Sequence, residues 1–301
     1  MAEAARPGPV REWRIHLGAH KTATSHLQHT LLAHRDTLLA HGVDYLPVYP
    51  FRDAARPYTV SWRRKLWSPP LARGFDRALD GLRRGPETVL LSDEDLLGYS
   101  RDLLVRPLYP DFRALHLVRH LMKRADKTTL FLGIRSLDGI LPSAYAQALK
   151  GDPYPPGSMA RICADMAADP PSWVTLVERV RAALPGAELR VWRQEDYRDH
   201  WRDLLAAYAG RAVGDLPDVP PVQGTASPGP RGVAEAERLD TALPQRQRIL
   251  KVREIYKAYP AGAEHGRLQP LSAADTARLK ARYDEDVEIL ATRYPGMFVQ
   301  P

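Results

Sequence analysis

The stretch Arg14-Ile-His-Leu-Gly-Ala-His-Lys-Thr-Ala-Thr-Ser25 constrains this chain more than any other. A short apolar strand runs into one glycine, then a lysine, then a cluster of hydroxyls. Behind them Leu27, Leu31 and Leu38 share one helical face, with Leu32 and Leu39 beside it. A strand that turns through such a loop into a helix aims several backbone N–H groups, and the positive end of the helix dipole, at one point. Lys21 adds a full charge there, and Thr22, Thr24 and Ser25 add hydroxyl donors. The expected ligand is a phosphate or a group of similar shape.

The ATP-binding loop G-x-x-x-x-G-K-[ST] places a second glycine immediately before its lysine. Here Gly18 is followed by Ala19-His20-Lys21. The segment instead resembles the 5′-phosphosulfate loop of sulfotransferases that use 3′-phosphoadenosine 5′-phosphosulfate (PAPS), commonly written Pro-Lys-[Ser/Thr]-Gly-Thr-Thr. In that register Lys21, Thr22, Thr24 and Ser25 fall on family positions, with His20 in place of the proline and Ala23 in place of the glycine. The resemblance implies that Lys21, Thr22, Ala23, Thr24, Ser25 and His26 hold the donor nucleotide.

A second segment agrees with the first. Thr128-Thr-Leu-Phe-Leu-Gly-Ile134 reads as a buried strand, Arg135 stands at its end, and Ser136-Leu-Asp-Gly139 makes a turn. Ile140 to Lys150 is helix-patterned, with Ser143 near its start and Pro142 in a first turn whose N–H groups need no intrahelical partner. An arginine fork and a nearby hydroxyl can converge on one phosphate. The family's 3′-phosphate site is similar: an arginine after a strand and a serine eight residues later. Arg135 and Ser143 reproduce that separation, and Ser143-Ala-Tyr145 resembles the Ser-x-Tyr of bacterial members. Of the family's later Arg-Lys-Gly element only Arg231-Gly232 lies in the right region, without the lysine, and Arg231 is carried over on that basis.

Strands expected at Trp13–Leu17, Thr88–Leu91, Thr128–Ile134 and Glu188–Trp192 alternate with helices, which indicates a parallel sheet covered on both faces. Helices are expected to about His41, around Phe75–Arg84 and Phe112–Arg124, over Ser158–Ala168 and Trp173–Leu184, after Arg193-Gln-Glu-Asp-Tyr197, and over Leu271–Tyr294. The last two resemble segments of bacterial sulfotransferases. The fold class is therefore α/β, a three-layer α/β/α arrangement with a central parallel sheet, and the resemblance implies the P-loop NTPase-like sulfotransferase version of it. Residues 1–10 read as a flexible tail and 11–301 as one domain. Within it, 43–84, whose first part shows no clear period, reads as an acceptor-site excursion, and the proline-rich 213–231 as a lid loop.

Sulfuryl transfer to a hydroxyl needs a base. Val89-Leu-Leu-Ser-Asp-Glu-Asp95 puts carboxylates after a strand, and related carbohydrate and bacterial sulfotransferases use a glutamate at a comparable strand end. Glu94 is the first choice and Asp93 the second, while His20, next to Lys21, competes. The same string also resembles the magnesium-binding strand of ATP-dependent enzymes, so a phosphotransferase using ATP and Mg²⁺ is the principal alternative. Trp62-Arg-Arg-Lys-Leu-Trp67 interleaves aromatics and cations, as single-strand nucleic-acid binders do. It reads here as part of the acceptor site, with Arg63, Arg64 and Lys65 facing an anionic group and Trp62 or Trp67 stacking on a ring.

The formal net charge of +7 and pI near 9.5 favour anionic ligands, for which a nucleotide suffices without nucleic acid. The single Cys163 excludes an intrachain disulfide. His16, His20, His26, His29, His34 and His41 fit no zinc spacing, so no metal is expected. No apolar run approaches the roughly 20 residues of a membrane span. These features lead to the expectation of a cytoplasmic enzyme. Its donor is PAPS, its product PAP, and its acceptor a hydroxylated small molecule, glycan or lipid.

Overall fold

A computed structural model describes residues 8–63, 66–211, 213, 216–220 and 227–300 of the chain. In order, β1 (Glu12–His16) leads to α1 (Thr24–Ala33) and α2 (Arg35–Ala40), and β2 (Val43–Leu46) to α3 (Val48–Arg63) and α4 (Pro69–Asp80). Strand β3 (Thr88–Ser92) is followed by two 3-10 turns, Glu94–Leu96 and Ser100–Leu103, and by α5 (Leu115–Met122). Next come β4 (Lys127–Ile134), α6 (Leu137–Ala148), α7 (Ser158–Ala168) and α8 (Trp173–Ala183). After β5 (Glu188–Arg193) come α9 (Gln194–Ala209), α10 (Pro230–Glu237), α11 (Gln245–Ala258) and α12 (Ala273–Arg293).

The five strands form one parallel sheet in the order β2-β3-β1-β4-β5. Alternate side chains divide between its faces. Ile15, Leu91, Leu132 and Val191 pack under residues of α4, α5, α6 and α8, whereas Leu90, Phe131 and Trp192 meet α1, α2 and α9. Both faces are buried, so the strands read as apolar runs without a polar side. The three-layer α/β/α class expected from the sequence is the one found.

Some elements differ from expectation. β2 is a fifth strand inside the stretch that shows no period, and its Asp44 is fully buried. That carboxylate accepts bonds from the Arg35 guanidinium at 3.2 Å and the Arg84 N–H at 2.6 Å. A buried, satisfied aspartate interrupts the apolar run by which a short strand is recognised. Among its described residues the rest of 43–84 is a helical hairpin, in which Tyr58 of α3 packs on Phe75 of α4 with ring centroids 5.2 Å apart. The first long helix breaks at His34, which has φ −104° and ψ 19°. Because α6 starts at Leu137, Pro142 is its sixth residue rather than a first-turn one, and its missing N–H withholds a donor from the Asp138 carbonyl. Residues 1–7 of the expected tail, Arg64 and Lys65, residue 212, and 214–215 and 221–226 of the expected lid lie outside the described residues.

Candidate active site

Parallel strands end together, so His16, Ser92, Ile134 and Arg193 share one edge of the sheet, where ligands of such sheets bind. The loop after β1 leans on β4: the Leu17 N–H donates to the Phe131 carbonyl at 2.8 Å and the Ala19 N–H to the Gly133 carbonyl at 3.0 Å. This approach needs the glycine in β4, since a Cβ on Gly133 would come within 2.8 Å of the Thr22 hydroxyl. Gly18 has φ +101°, and a Cβ there would stand 2.8 Å from the Glu94 Cβ. Glycine is required at this position for backbone and for space.

Lys21 and Ala23 are left-handed, with φ 67° and 65°. Each costs about 1 kcal/mol in a residue with a side chain, and Ala23 holds the position that is glycine in the motif it resembles. The hydroxyls of Thr22 and Thr24 both donate to the Ala19 carbonyl, at 2.7 and 3.1 Å, and both residues are buried. Their protons tie the loop instead of facing a ligand, while Ser25 is exposed. No side chain caps α1, and of its first-turn N–H groups that of His26 donates to the Ala23 carbonyl at 3.0 Å. His26 turns toward α9, where Nδ1 lies 3.0 Å from the Tyr197 hydroxyl, and burial lowers its pKa.

Arg135 closes the other side. Its Nη1 donates to the Lys21 carbonyl at 3.0 Å, its guanidinium lies over Gly139, and its own carbonyl accepts from the Trp173 indole at 2.9 Å. Ser143 is half-buried one helical turn beyond Gly139, on the same face of α6. The two distant motifs are thus joined at one place. Arg231 is not brought into contact with them; it is exposed at the start of α10, with its guanidinium 4.5 Å from the centre of the Tyr259 ring.

Further cations complete this side. Burial lowers the Lys21 pKa and the charge of Arg135 lowers it further, against the pull of Glu94. Lys150, just past the end of α6, is pushed down to about 8 by burial and then by Lys21 and Arg253. Lys150 and Arg253 carry no motif in the sequence; only the folded arrangement of the segment after α6 and of α11 lets their charges act on each other.

The carboxylates after β3 gather around Arg52 of α3. Asp93 is buried, accepts from Arg52 Nε at 2.9 Å and Nη2 at 2.6 Å, and caps the following 3-10 turn through the Asp95 N–H. Burial raises its pKa against the pull of Arg52. Asp93 therefore holds the turn and the guanidinium, and is poorly placed as a base. Glu94 is more open: Oε2 accepts from the Gln28 amide at 2.9 Å, Oε1 lies 3.3 Å from Arg52, and its Cβ stands against Gly18. Each oxygen retains a free lone pair.

The Asp95 carboxylate can only accept, so the proton of the neutral His20 ring lies on Nε2 and Nδ1 accepts from the Tyr109 hydroxyl, 2.9 Å away, which itself accepts the His20 backbone N–H at 3.0 Å. Its other nitrogen then donates to Asp95 at 3.3 Å. Burial alone would raise the Asp95 pKa, but His20, Arg52 and Arg113 bring it below the usual carboxylate value. Both ring nitrogens of His20 are thus engaged, which removes it as a base and makes it a brace for Asp95. The ligand atoms of His20, Glu94 and Asp95 lie within 4.8 Å of one another, a spacing that suits a metal ion. Arg52, 3.3 Å from Glu94 and 3.5 Å from Asp95, already supplies positive charge there. Arg52, Arg113, Tyr109 and Gln28 lie in no motif, and sequence reasoning missed them.

No protein-family model matches the chain, and neither does any curated protein. Among solved structures, the chain is similar to a crystal structure of a sulfotransferase from Alicyclobacillus acidocaldarius. The identity is 14% and the TM-score 0.43, over 82% of this chain and 96% of that one. Among the described residues, no helix is long and apolar enough to cross a membrane.

Proposed function

We propose that this protein transfers a sulfuryl group from PAPS to an acceptor hydroxyl, releasing PAP. One observation carries the reading: Arg135, at the end of β4, donates to the Lys21 carbonyl at 3.0 Å, and burial and neighbouring cations, Arg135 for Lys21 and Lys21 with Arg253 for Lys150, hold the two lysines below their ordinary pKa. Such a cluster is relieved by a ligand with several negative charges. The uncapped start of α1 supplies N–H groups to the same place.

When bound, the donor supplies a sulfuryl group whose bond to the phosphate oxygen breaks as a bond to the acceptor oxygen forms. Lys21 stabilises charge growing on the leaving phosphate. Arg135 and Ser143 orient the other phosphate. Glu94 takes the acceptor proton, with Gln28 and Arg52 fixing its orientation. The transfer as proposed asks for no metal, since a sulfuryl group carries less charge than a γ-phosphoryl group.

In an ATP-dependent phosphotransferase the carboxylate at the end of β3 would hold Mg²⁺; here Asp93 is taken by Arg52 and by its cap. Calorimetric titration tests the proposal directly. PAP should bind with similar affinity with and without EDTA, and ATP much more weakly. Magnesium-dependent ATP binding without PAP binding would replace this reading with the kinase.

A further inference from the structure

A cavity of about 850 Å³ is lined chiefly by Trp62, Trp67, Tyr99, Phe112, Arg101 and Arg113. Its size falls in the range of about 300–1,000 Å³ that small-molecule sites occupy. Trp62 and Trp67 come from the tip of the α3–α4 hairpin, Tyr99 and Arg101 from the segment after β3, and Phe112 and Arg113 from the approach to α5. Arg113 joins this cavity to the base: its Nη1 donates to the Asp95 carbonyl at 3.3 Å, next to Glu94. It also lines a smaller cavity shared with Arg52 and Asp93.

The lining states what it can hold. Trp62 is stacked on His116, with ring centroids 4.5 Å apart and planes 3° from parallel, yet the residue is 41% exposed. One indole face is therefore braced by His116 and Trp67 meets the indole at 5.8 Å, while among the described residues Trp62 keeps surface open to the cavity. Burial holds the His116 pKa down to about 4, so the bracing ring is neutral at pH 7. Tyr99 lies between two guanidinium groups, each 4.7 Å from its ring centre. Neither guanidinium is a free charge. Arg101 pairs with Asp152 at 2.9 Å, Arg113 faces Asp95 at 3.9 Å, and Asp102 and Asp111 also line the cavity. A flat aromatic platform, many hydrogen-bonding groups and, among the described residues, two arginines set against two aspartates suit an uncharged ring bearing several hydroxyls. The apolar C–H face of such a ring covers indole while its hydroxyls meet the paired ions.

We infer that this cavity is the acceptor pocket and that its ligand is a neutral sugar ring stacked on Trp62, with a hydroxyl directed past Arg113 toward Glu94. This rests on the sulfuryl-transfer reading for its chemistry, but the binding itself does not require the donor.

The test is calorimetric titration of the full chain with three probes: a set of neutral trisaccharides of differing linkage, a glucuronide and a simple phenol. At least one neutral trisaccharide should bind, and Trp62→Ala should weaken it tenfold or more. Trp62→Phe should retain part of the affinity, and PAP affinity should be unchanged in both variants. Tighter binding of the glucuronide would overturn the neutral assignment, and tighter binding of the phenol the sugar. Failure of every trisaccharide, or equal affinity in Trp62→Ala, would overturn the pocket. Loss of PAP binding by the unmodified chain, with trisaccharide binding intact, would instead sink the sulfuryl-transfer reading alone.

Discussion

Arg135 and Lys21, 114 residues apart in the chain, are joined by a 3.0 Å hydrogen bond from the guanidinium to the lysine carbonyl. The bond fixes the loop after β1 against the end of β4. Arg135→Ala is expected to weaken PAP binding about thirtyfold, or about 2 kcal/mol, the scale of a lost hydrogen bond from a charged group. Arg135→Lys should recover little, because a single ammonium cannot reach the carbonyl and a phosphate together. Titration with PAP measures both, and wild-type affinity in Arg135→Ala would remove the arginine from the nucleotide site.

Glu94→Gln keeps the shape of the side chain and removes its ability to accept a proton. PAP affinity should stay within about threefold while turnover falls by about 10²–10⁴, the usual contribution of a general base. Single-turnover transfer from labelled PAPS reads the difference. A near-normal rate would move the base elsewhere.

The sequence was most legible where function demands unusual local chemistry. Lys21, Arg135 and Ser143 stand out because a strand end followed by such residues has few structural uses, and the structure joins their segments. β2 was illegible because Asp44, buried and satisfied by residues from 35 and 84, breaks its apolar pattern. The direction of the Thr22 and Thr24 hydroxyls was illegible for a related reason. A hydroxyl beside a glycine-containing loop suits a ligand or a carbonyl equally, and only the fold of the loop decides for Ala19. Lys150, Arg52 and Arg113 sit on helices and loops whose mutual placement no local pattern records.

Binding of PAP to this cluster should draw in protons. Lys150 is held at about 8 by burial, Lys21 and Arg253, and a polyanion placed among them raises its pKa. At pH 8 a fraction of a proton per site should therefore be taken up on binding. Calorimetry in buffers of different ionisation enthalpy measures that fraction, and Lys150→Met should reduce it. Proton release on binding, or an unchanged value in the variant, would contradict the placement of Lys150.

Acid stability should carry the mark of His16. Burial lowers its pKa to about 3, and its ring is stacked on Trp192 with Nδ1 2.9 Å from the Ser92 hydroxyl. The unfolded chain binds this proton near pH 6.5 and the folded chain only near 3, so the unfolded state carries more protons between these values. The contribution of His16 is complete above about pH 6.5 and is lost as pH falls toward 3, by up to about 1.4 kcal/mol per unit. Urea denaturation of wild type and His16→Asn at pH 7, 6 and 5 checks this. The variant, whatever its starting stability, should lose less per unit, and parallel slopes would refute the assignment.

Under the proposed function, the inward turn of Thr22 and Thr24 has a consequence for how fast and how firmly an anion is caught. With both hydroxyls closed on one carbonyl, the nest of amides is already assembled before a guest arrives, its ordering entropy met during folding. Capture then resembles a key entering a finished lock, with little backbone left to rearrange and little of the attraction spent on rearrangement.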